Sequence, residues 1–263
     1  NNAFGYEALK DLTTGTQNNA IGFQAGANLT TGSYNNIMGA EAMENSTTAS
    51  NCVAIGHDAL RQNNGNNNVA IGFQSLTANT TASNNTAMGA YAGSALTTGD
   101  NSVAIGRYAL KDCSTGSGNV AVGLNALETC TTGANNVAMG TQALESLTTQ
   151  NDTVAIGYQA LQSMTTGAGN CAVGHLAGHV LTTGNDNAIF GYYAGDVLTT
   201  GSNNTLVGSN AGGAMTGGYD NTFVGRVAGQ SLTTGYQNVA IGKDCLKLMD
   251  GVTNNTGVGK GCM

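Results

Sequence analysis

Sixteen glycines punctuate this chain at a nearly constant interval: Gly5, Gly22, Gly39, Gly56, Gly72, Gly89, Gly106, Gly123, Gly140, Gly157, Gly174, Gly191, Gly208, Gly225, Gly242 and Gly259. Fourteen of the fifteen spacings are 17 residues, and the one from Gly56 to Gly72 is 16. A 17-residue unit cannot bury its own apolar face, so successive units must stack and share a continuous core.

With that glycine as position 0, the columns of the repeat become visible. Position −1 is bulky and apolar in all sixteen copies, from Phe4 and Ile21 to Val258. Position −2 is Ala eleven times, and +3 is Ala thirteen times, with Ser75, Cys245 and Cys262 as exceptions. Position +4 is Leu, Met or Gly throughout, and Thr-Thr-Gly follows near +8 to +10, as at Thr13, Thr14 and Gly15. Position +1 obeys no rule: it holds Tyr6, His57, Arg107, Leu124 and Lys243.

Two glycine bends in so short a unit exclude a helix pair. Positions −4 to −1 are short and apolar, often with Val at −3, which predicts a buried strand. Positions +3 to about +9 predict a second strand, with the glycines at the bends. The expected fold is all-β: a parallel β-solenoid (β-roll or β-helix) with one repeat per turn, about sixteen turns and roughly 75 Å at the usual strand spacing. Residues 1–263 read as one repetitive shaft without caps, a segment of a longer chain.

In such a stack each residue lies above its own copy, so a column must be self-compatible. Position −4 predicts a ladder of side-chain amides along the axis: Asn18, Asn35, Asn68, Asn85, Asn119, Asn136, Asn170, Asn187, Asn204, Asn221, Asn238 and Asn255. The absence of Pro fits a backbone whose N–H groups are needed between turns. Volumes agree in part. Ile189, Leu206 and Phe223 replace Ala at −2, and the same copies have Gly195, Gly212 and Gly229 at +4. This is large-for-small exchange within one packed space. Ile37 lacks such a glycine, and Gly26, Gly93 and Gly178 keep Ala at −2.

The one short interval has "RQNNGNNN" in place of the Leu-Thr-Thr-Gly phrase. A slip inside a strand would turn its inward residues outward. The deletion is therefore expected in the loop, with residues 68–72 in register and Ile71 kept out of solvent.

Neighbours −2 and −1 point to opposite strand faces, and both are apolar. One face lines the core; the other needs a cover, which predicts self-association with closed symmetry.

Composition narrows the function classes. Charged residues make up 9%, the formal net charge is −7, and the eight Lys and Arg form no run, which argues against nucleic acid. No apolar stretch is long enough to span a bilayer. The six cysteines show no zinc spacing. Neither a cofactor nor a metal is expected, and no nucleophile–base set recurs, so the chain does not read as an enzyme. His57, His175 and His179 read as surface residues, and Asp152, Asp186 and Asp220 at −5 as solvated turn residues. Adjacent threonines such as Thr182–Thr183 lack the alternation a flat ice-binding array needs. Seven Asn-x-Ser/Thr sequons, at Asn28, Asn45, Asn79, Asn84, Asn151, Asn203 and Asn254, are what chance supplies in a chain so rich in Asn and Thr.

Cysteines pair by column. Cys113 and Cys130 both stand at +7 in consecutive copies; Cys245 and Cys262 both stand at +3. Stacking places each pair about one strand spacing apart, ~4.8 Å, within disulfide reach. Both columns otherwise hold mainly Leu or Ala, so reduced, buried, adjacent thiols are expected.

The phrase "NSVAIG", residues 101–106, resembles the head repeat of trimeric autotransporter adhesins, whose parallel β-rolls trimerise. "TVAIGYQALQSMTTG", residues 153–167, resembles the 17-residue repeats of phage tail-fibre-like proteins, found upstream of endosialidase-type chaperone domains. The resemblance implies a homotrimeric structural fibre: the shaft of a tail fibre or virion appendage involved in host attachment. Its receptor on the host surface would be met by a part outside this sequence. The alternatives are a bacterial surface adhesin head, extracellular, and an ice- or ligand-binding solenoid.

Overall fold

The computed structural model describes residues 1–262; Met263, the last residue of the +4 column, lies outside the described residues. The chain is an all-β parallel β-solenoid of about fifteen turns at 17-residue spacing. The expected sixteen counts repeat copies, of which the first and last are partial. It divides into two compact units, Asn1–Asn135 and Asn136–Met263. The first carries eight strands, from β1 (Asn2–Phe4) to β8 (Val120–Val122); the second carries eight, from β9 (Val137–Met139) to β16 (Thr256–Val258).

Every strand is three residues long and occupies −3, −2 and −1. Consecutive strands within a unit pair in parallel with like above like. Val103, Ala104 and Ile105 face Val120, Ala121 and Val122 in the first unit; Val137, Ala138 and Met139 face Val154, Ala155 and Ile156 in the second. The −2 residue points inward: Ala20, Ala155 and Phe223 are fully buried. Ala at +3, Leu or Gly at +4 and Leu at +7 complete the core, as with Ala109, Leu110 and Leu96 in the first unit and Ala160, Leu161 and Leu181 in the second.

The expected second strand is absent. Positions 0 to +7 form a run of tight turns in which alternate residues are left-handed. Tyr108 at +2 has φ 61°, and Leu110 at +4 has φ 54°. Between them, right-handed residues close the turns: Ala8 N donates to Gly5 O, and Lys10 N to Glu7 O. The left-handed residues instead send their N–H along the axis, Gln24 to Tyr6 O at 2.8 Å and Leu9 to Ala25 O at 3.1 Å. Hydrogen bonding between rungs thus persists without extended backbone, and apolar periodicity alone does not distinguish the two.

The zero column is glycine for a local reason. Gly22 has φ 141°, and a Cβ there would lie 2.5 Å from the carbonyl oxygen of Gly39 on the next rung. Stacked backbones touch at this bend, and any side chain would separate them.

The volume exchange at −2 and +4 operates between rungs as well as within one. A Cβ on Gly195 would meet Leu206 Cδ1 at 2.7 Å, eleven residues ahead, and Gly229 would meet Phe223 at 2.5 Å on its own rung. Gly26 would meet Ile37 at 2.8 Å and Gly178 would meet Ile189 at 3.0 Å. Each bulky −2 side chain therefore sits against the +4 glycine of the rung before. This accounts for Ile37, Gly26 and Gly178, which comparison within single copies leaves as exceptions. Gly93 is packed against Leu76 instead, at 2.9 Å.

The short repeat is absorbed in its loop. Val69, Ala70 and Ile71 pair in register with Val53, Ala54 and Ile55 and with Thr86, Ala87 and Met88. The missing residue is the second threonine. Elsewhere the +8 carbonyl accepts three bonds, as Thr47 O does from Thr30 N, Thr31 N and Thr30 Oγ1. At the short repeat the side-chain oxygen of Asn64 accepts the same set, from Thr47 N at 2.8 Å, Thr47 Oγ1 at 2.9 Å and Thr48 N at 3.3 Å. A side-chain amide thus stands in for a backbone carbonyl. Ile71 itself is half-exposed. The expectation that it avoids solvent is corrected, because the whole −1 column faces outward.

Candidate functional site

The −4 asparagines from Asn18 to Asn238 are buried, and Asn255 is half-buried. Asn204 is 1% exposed. Its Nδ2 donates to Gly218 O at 2.8 Å and to Asn187 Oδ1 at 3.0 Å, and its Oδ1 accepts from the N–H and Nδ2 of Asn221. The same pattern links Asn170, Asn187, Asn221, Asn238 and Asn255 in the second unit and Asn18 and Asn35 in the first. Asn68 and Asn85 are linked through the backbone N–H. Asn119 donates to Gly133 O and Asn136 to Gln150 O. Where Ser102 interrupts the column, its Oγ still accepts the N–H of Asn119 at 3.2 Å. These groups satisfy one another and offer nothing to a ligand.

The two cysteine pairs differ. Cys113 and Cys130 are free, fully buried thiols. Each donates toward the carbonyl three residues on, Gly116 and Gly133. Hydrogen bonding with Cys113, then burial, pushes the Cys130 thiol up, so it stays protonated. Cys245 and Cys262 form a disulfide with a Cα separation of 4.6 Å, which corrects the expectation of thiols there. Room for the bridge comes from Gly257 at −2, where a Cβ would lie 2.8 Å from Cys245 Sγ and 2.9 Å from Cys262 Sγ. Elsewhere Ala or a larger residue fills that space.

The histidines do not converge. His57 Nδ1 lies 3.0 Å from the buried carboxylate of Asp58, and its ring stacks on Phe73. His175 lies between Tyr158 and Tyr192 with centroids 5.2 and 5.1 Å away. His179 Nε2 meets Gln162 Oε1 at 2.9 Å. Asp152, Asp186 and Asp220 are exposed and left-handed, with φ of 57°, 54° and 56°. No group of three or more metal-ligating side chains occurs among the described residues. The first threonine of each pair is committed to the ladder: Thr182 Oγ1 donates to Thr199 O at 3.0 Å. Of the sequons, Asn79 is fully buried.

What each unit does present is an exposed apolar sheet face. The −1 side chains project from it on every rung. Ile21 is 47% exposed and Met88 41% in the first unit; Met139 is 41% and Ile156 37% in the second. Beside them the −3 column holds Val on seven rungs and Thr, Asn, Ala or Cys on the others; most of these residues are half-buried, and Asn2, Asn19, Asn36 and Thr256 are exposed. No Asp, Glu, Lys, Arg or His stands in either column. A contiguous apolar stripe of this kind marks an interaction surface.

A second feature escapes linear reading. Residues at +1 are far apart in sequence yet stack along the axis. In the second unit Tyr158, His175 and Tyr192 are followed by Ser209, Arg226, Lys243 and Lys260. Folding the sequence at its period of 17 displays this column. Reading it as lawless hid the order within it.

No protein-family model matches the chain, and a search of curated proteins returns no match. No helix is long and apolar enough to cross a membrane among the described residues.

Proposed function

We propose that this chain is a structural fibre element, the shaft of a phage tail fibre or related virion appendage, assembled as a homotrimer and without catalytic role. The observation that carries this reading is the apolar −1 column, which projects from every rung of both units. A half-exposed Ile or Met gains about 1 kcal/mol when fully covered, and the gain repeats with each rung. Copies of the same chain, carrying the same face at the same rise, cover it in register, and cyclic symmetry closes the set. The repeat phrases at 101–106 and 153–167 supply the likeness to adhesin head repeats and to tail-fibre repeats.

Light scattering on purified protein tests this. The expected mass is about three times the chain mass of 26.3 kDa. A monomer at micromolar concentration removes the reading. A second reading, a bacterial adhesin head, is favoured by the exposed aromatic column around Tyr192, which is 56% exposed. Electron microscopy of the native particle or cell envelope separates the two.

A further inference from the structure

We propose that the +1 column of the second unit is a binding site for an acidic saccharide. Its pyranose ring lies over Ser209 against Tyr192, and its carboxylates run toward Arg226 and Lys243. The site is distinct from the face invoked for self-association, which uses the −1 and −3 columns.

Three observations carry this. First, the aromatic stack stops abruptly. Tyr158, His175 and Tyr192 follow one another at about 5 Å with interplanar angles of 20° and 22°. The next +1 residue is Ser209, too small to cover the far side of Tyr192. Its rung is stacked normally, with Asn210 N donating to Tyr192 O at 3.0 Å and Val227 N to Ser209 O at 2.9 Å. Between Tyr192 and Arg226 the column therefore has a gap of two strand spacings, about 10 Å, with room for one ring.

Second, cations stack directly beyond the gap. Asp244 N bonds Arg226 O at 3.0 Å and Gly261 N bonds Lys243 O at 2.9 Å, so Arg226, Lys243 and Lys260 occupy successive rungs. Like charges facing each other across paired rungs are destabilising. This chain has only eight Lys and Arg against fifteen Asp and Glu, yet four of the eight lie at Arg226, Lys243, Lys247 and Lys260. Asp244 is shared between Lys243 and Lys247, at 3.7 and 3.6 Å. Arg226 is exposed, and among the described residues no carboxylate pairs with it. An external anion would neutralise the column.

Third, rings and charges are segregated. Single-stranded nucleic acid needs an aromatic platform for each base, interleaved with cations along its backbone. Here the rings precede the gap and the cations follow it. A linear uronic-acid chain carries one carboxylate per pyranose, and each residue is about as long as one strand spacing, ~5 Å. One pyranose on Tyr192 therefore brings later carboxylates level with successive rungs. Guanidinium recognition of a carboxylate is planar and bidentate, which suits Arg226 as the first cation.

Calorimetric titration with tetragalacturonate tests the site, with cellotetraose as neutral control and oligo-dT as charge control. The acidic tetramer is expected to bind, and more weakly as salt is raised. Arg226→Gln should weaken it about tenfold, the loss of a charge-assisted hydrogen bond. Ser209→Trp should abolish binding by filling the gap, while circular dichroism and melting temperature confirm an intact fold. No binding at millimolar tetramer overturns the proposal, as does undiminished binding by Ser209→Trp. Equal binding of cellotetraose removes the role of the cations. Tighter binding of oligo-dT refutes the saccharide and assigns the column to nucleic acid.

Discussion

A buried asparagine in a stack can be satisfied only by the rungs above and below it, and this decides how the −4 column responds to change. Asn204→Leu would strand Gly218 O and the N–H of Asn221, which Asn204 now serves. Two unmade buried bonds cost roughly 2–4 kcal/mol. Asn204→Ser keeps an acceptor, as Ser102 does for Asn119, and should cost clearly less. Equal melting-temperature losses for the two variants would show that the ladder is only a packing column. Overpacking gives a second residue-level contrast. Ala160 is fully buried and should not accept Leu without a loss of roughly 1–3 kcal/mol. Tyr158 is 45% exposed and loses only its stack on His175 on change to Ser, about 1 kcal/mol. At this scale much was legible, because a strict period converts sequence into columns. What stayed hidden was the neighbour across the rung. Gly26 and Ile37 look unrelated within their own copies and touch only because one rung's +4 lies against the next rung's −2.

Elements here are held by substitutes for backbone at the places where the repeat falters. Asn64 replaces the +8 carbonyl in the short rung. Asp250, at +8 near the chain's end, does the same, accepting from Thr233 N at 3.1 Å and Thr233 Oγ1 at 2.6 Å. Those bonds from the Thr233 side chain and backbone hold the Asp250 carboxyl below its ordinary range. A folded-state pKa below the unfolded one contributes stability that is present at higher pH and lost as pH falls through the lowered value. The last rung should therefore loosen below the usual carboxylate range, about pH 3.9. Asp250→Asn should flatten that dependence in amide exchange of residues 233–250. The disulfide acts on the same element. Reducing Cys245–Cys262 frees a loop for which the chain-entropy estimate is about 3 kcal/mol. Protection from exchange should fall between 243 and 262 and remain unchanged in the first unit. Uniform loss along the chain would contradict a local role. Sequence placed the strand at −4 to −1, one residue longer than the −3 to −1 strand that forms, and misread the turns after it as a second strand. Alternating handedness leaves the same buried positions as a strand would, and only the backbone angles separate the two.

For the whole molecule, the decisive property is that inward and outward columns answer to different partners. The −2 column is packed by its own chain, whereas the −1 column is left only partly covered by it. A charge placed at −1 should therefore spare the fold and disrupt assembly. Ile105→Lys and Ile156→Lys put one cation on the exposed face of each unit, where the wild-type residues are 37% exposed. If copies cover these faces, each lysine meets its symmetry mates, and burying an ammonium without a partner costs several kcal/mol. Three such charges converge in a trimer, so the penalty exceeds the ~1 kcal/mol that each covered isoleucine contributes. The double variant should sediment as a monomer with an unchanged far-ultraviolet spectrum. The paired control Ile105→Val and Ile156→Val should keep the wild-type mass, because Val already occupies −1 at Val122, Val173 and Val207. A lysine variant that assembles like wild type would mean the apolar face lies outside the interface. The stripe would then need a different cover, and the self-association reading would have lost its main support.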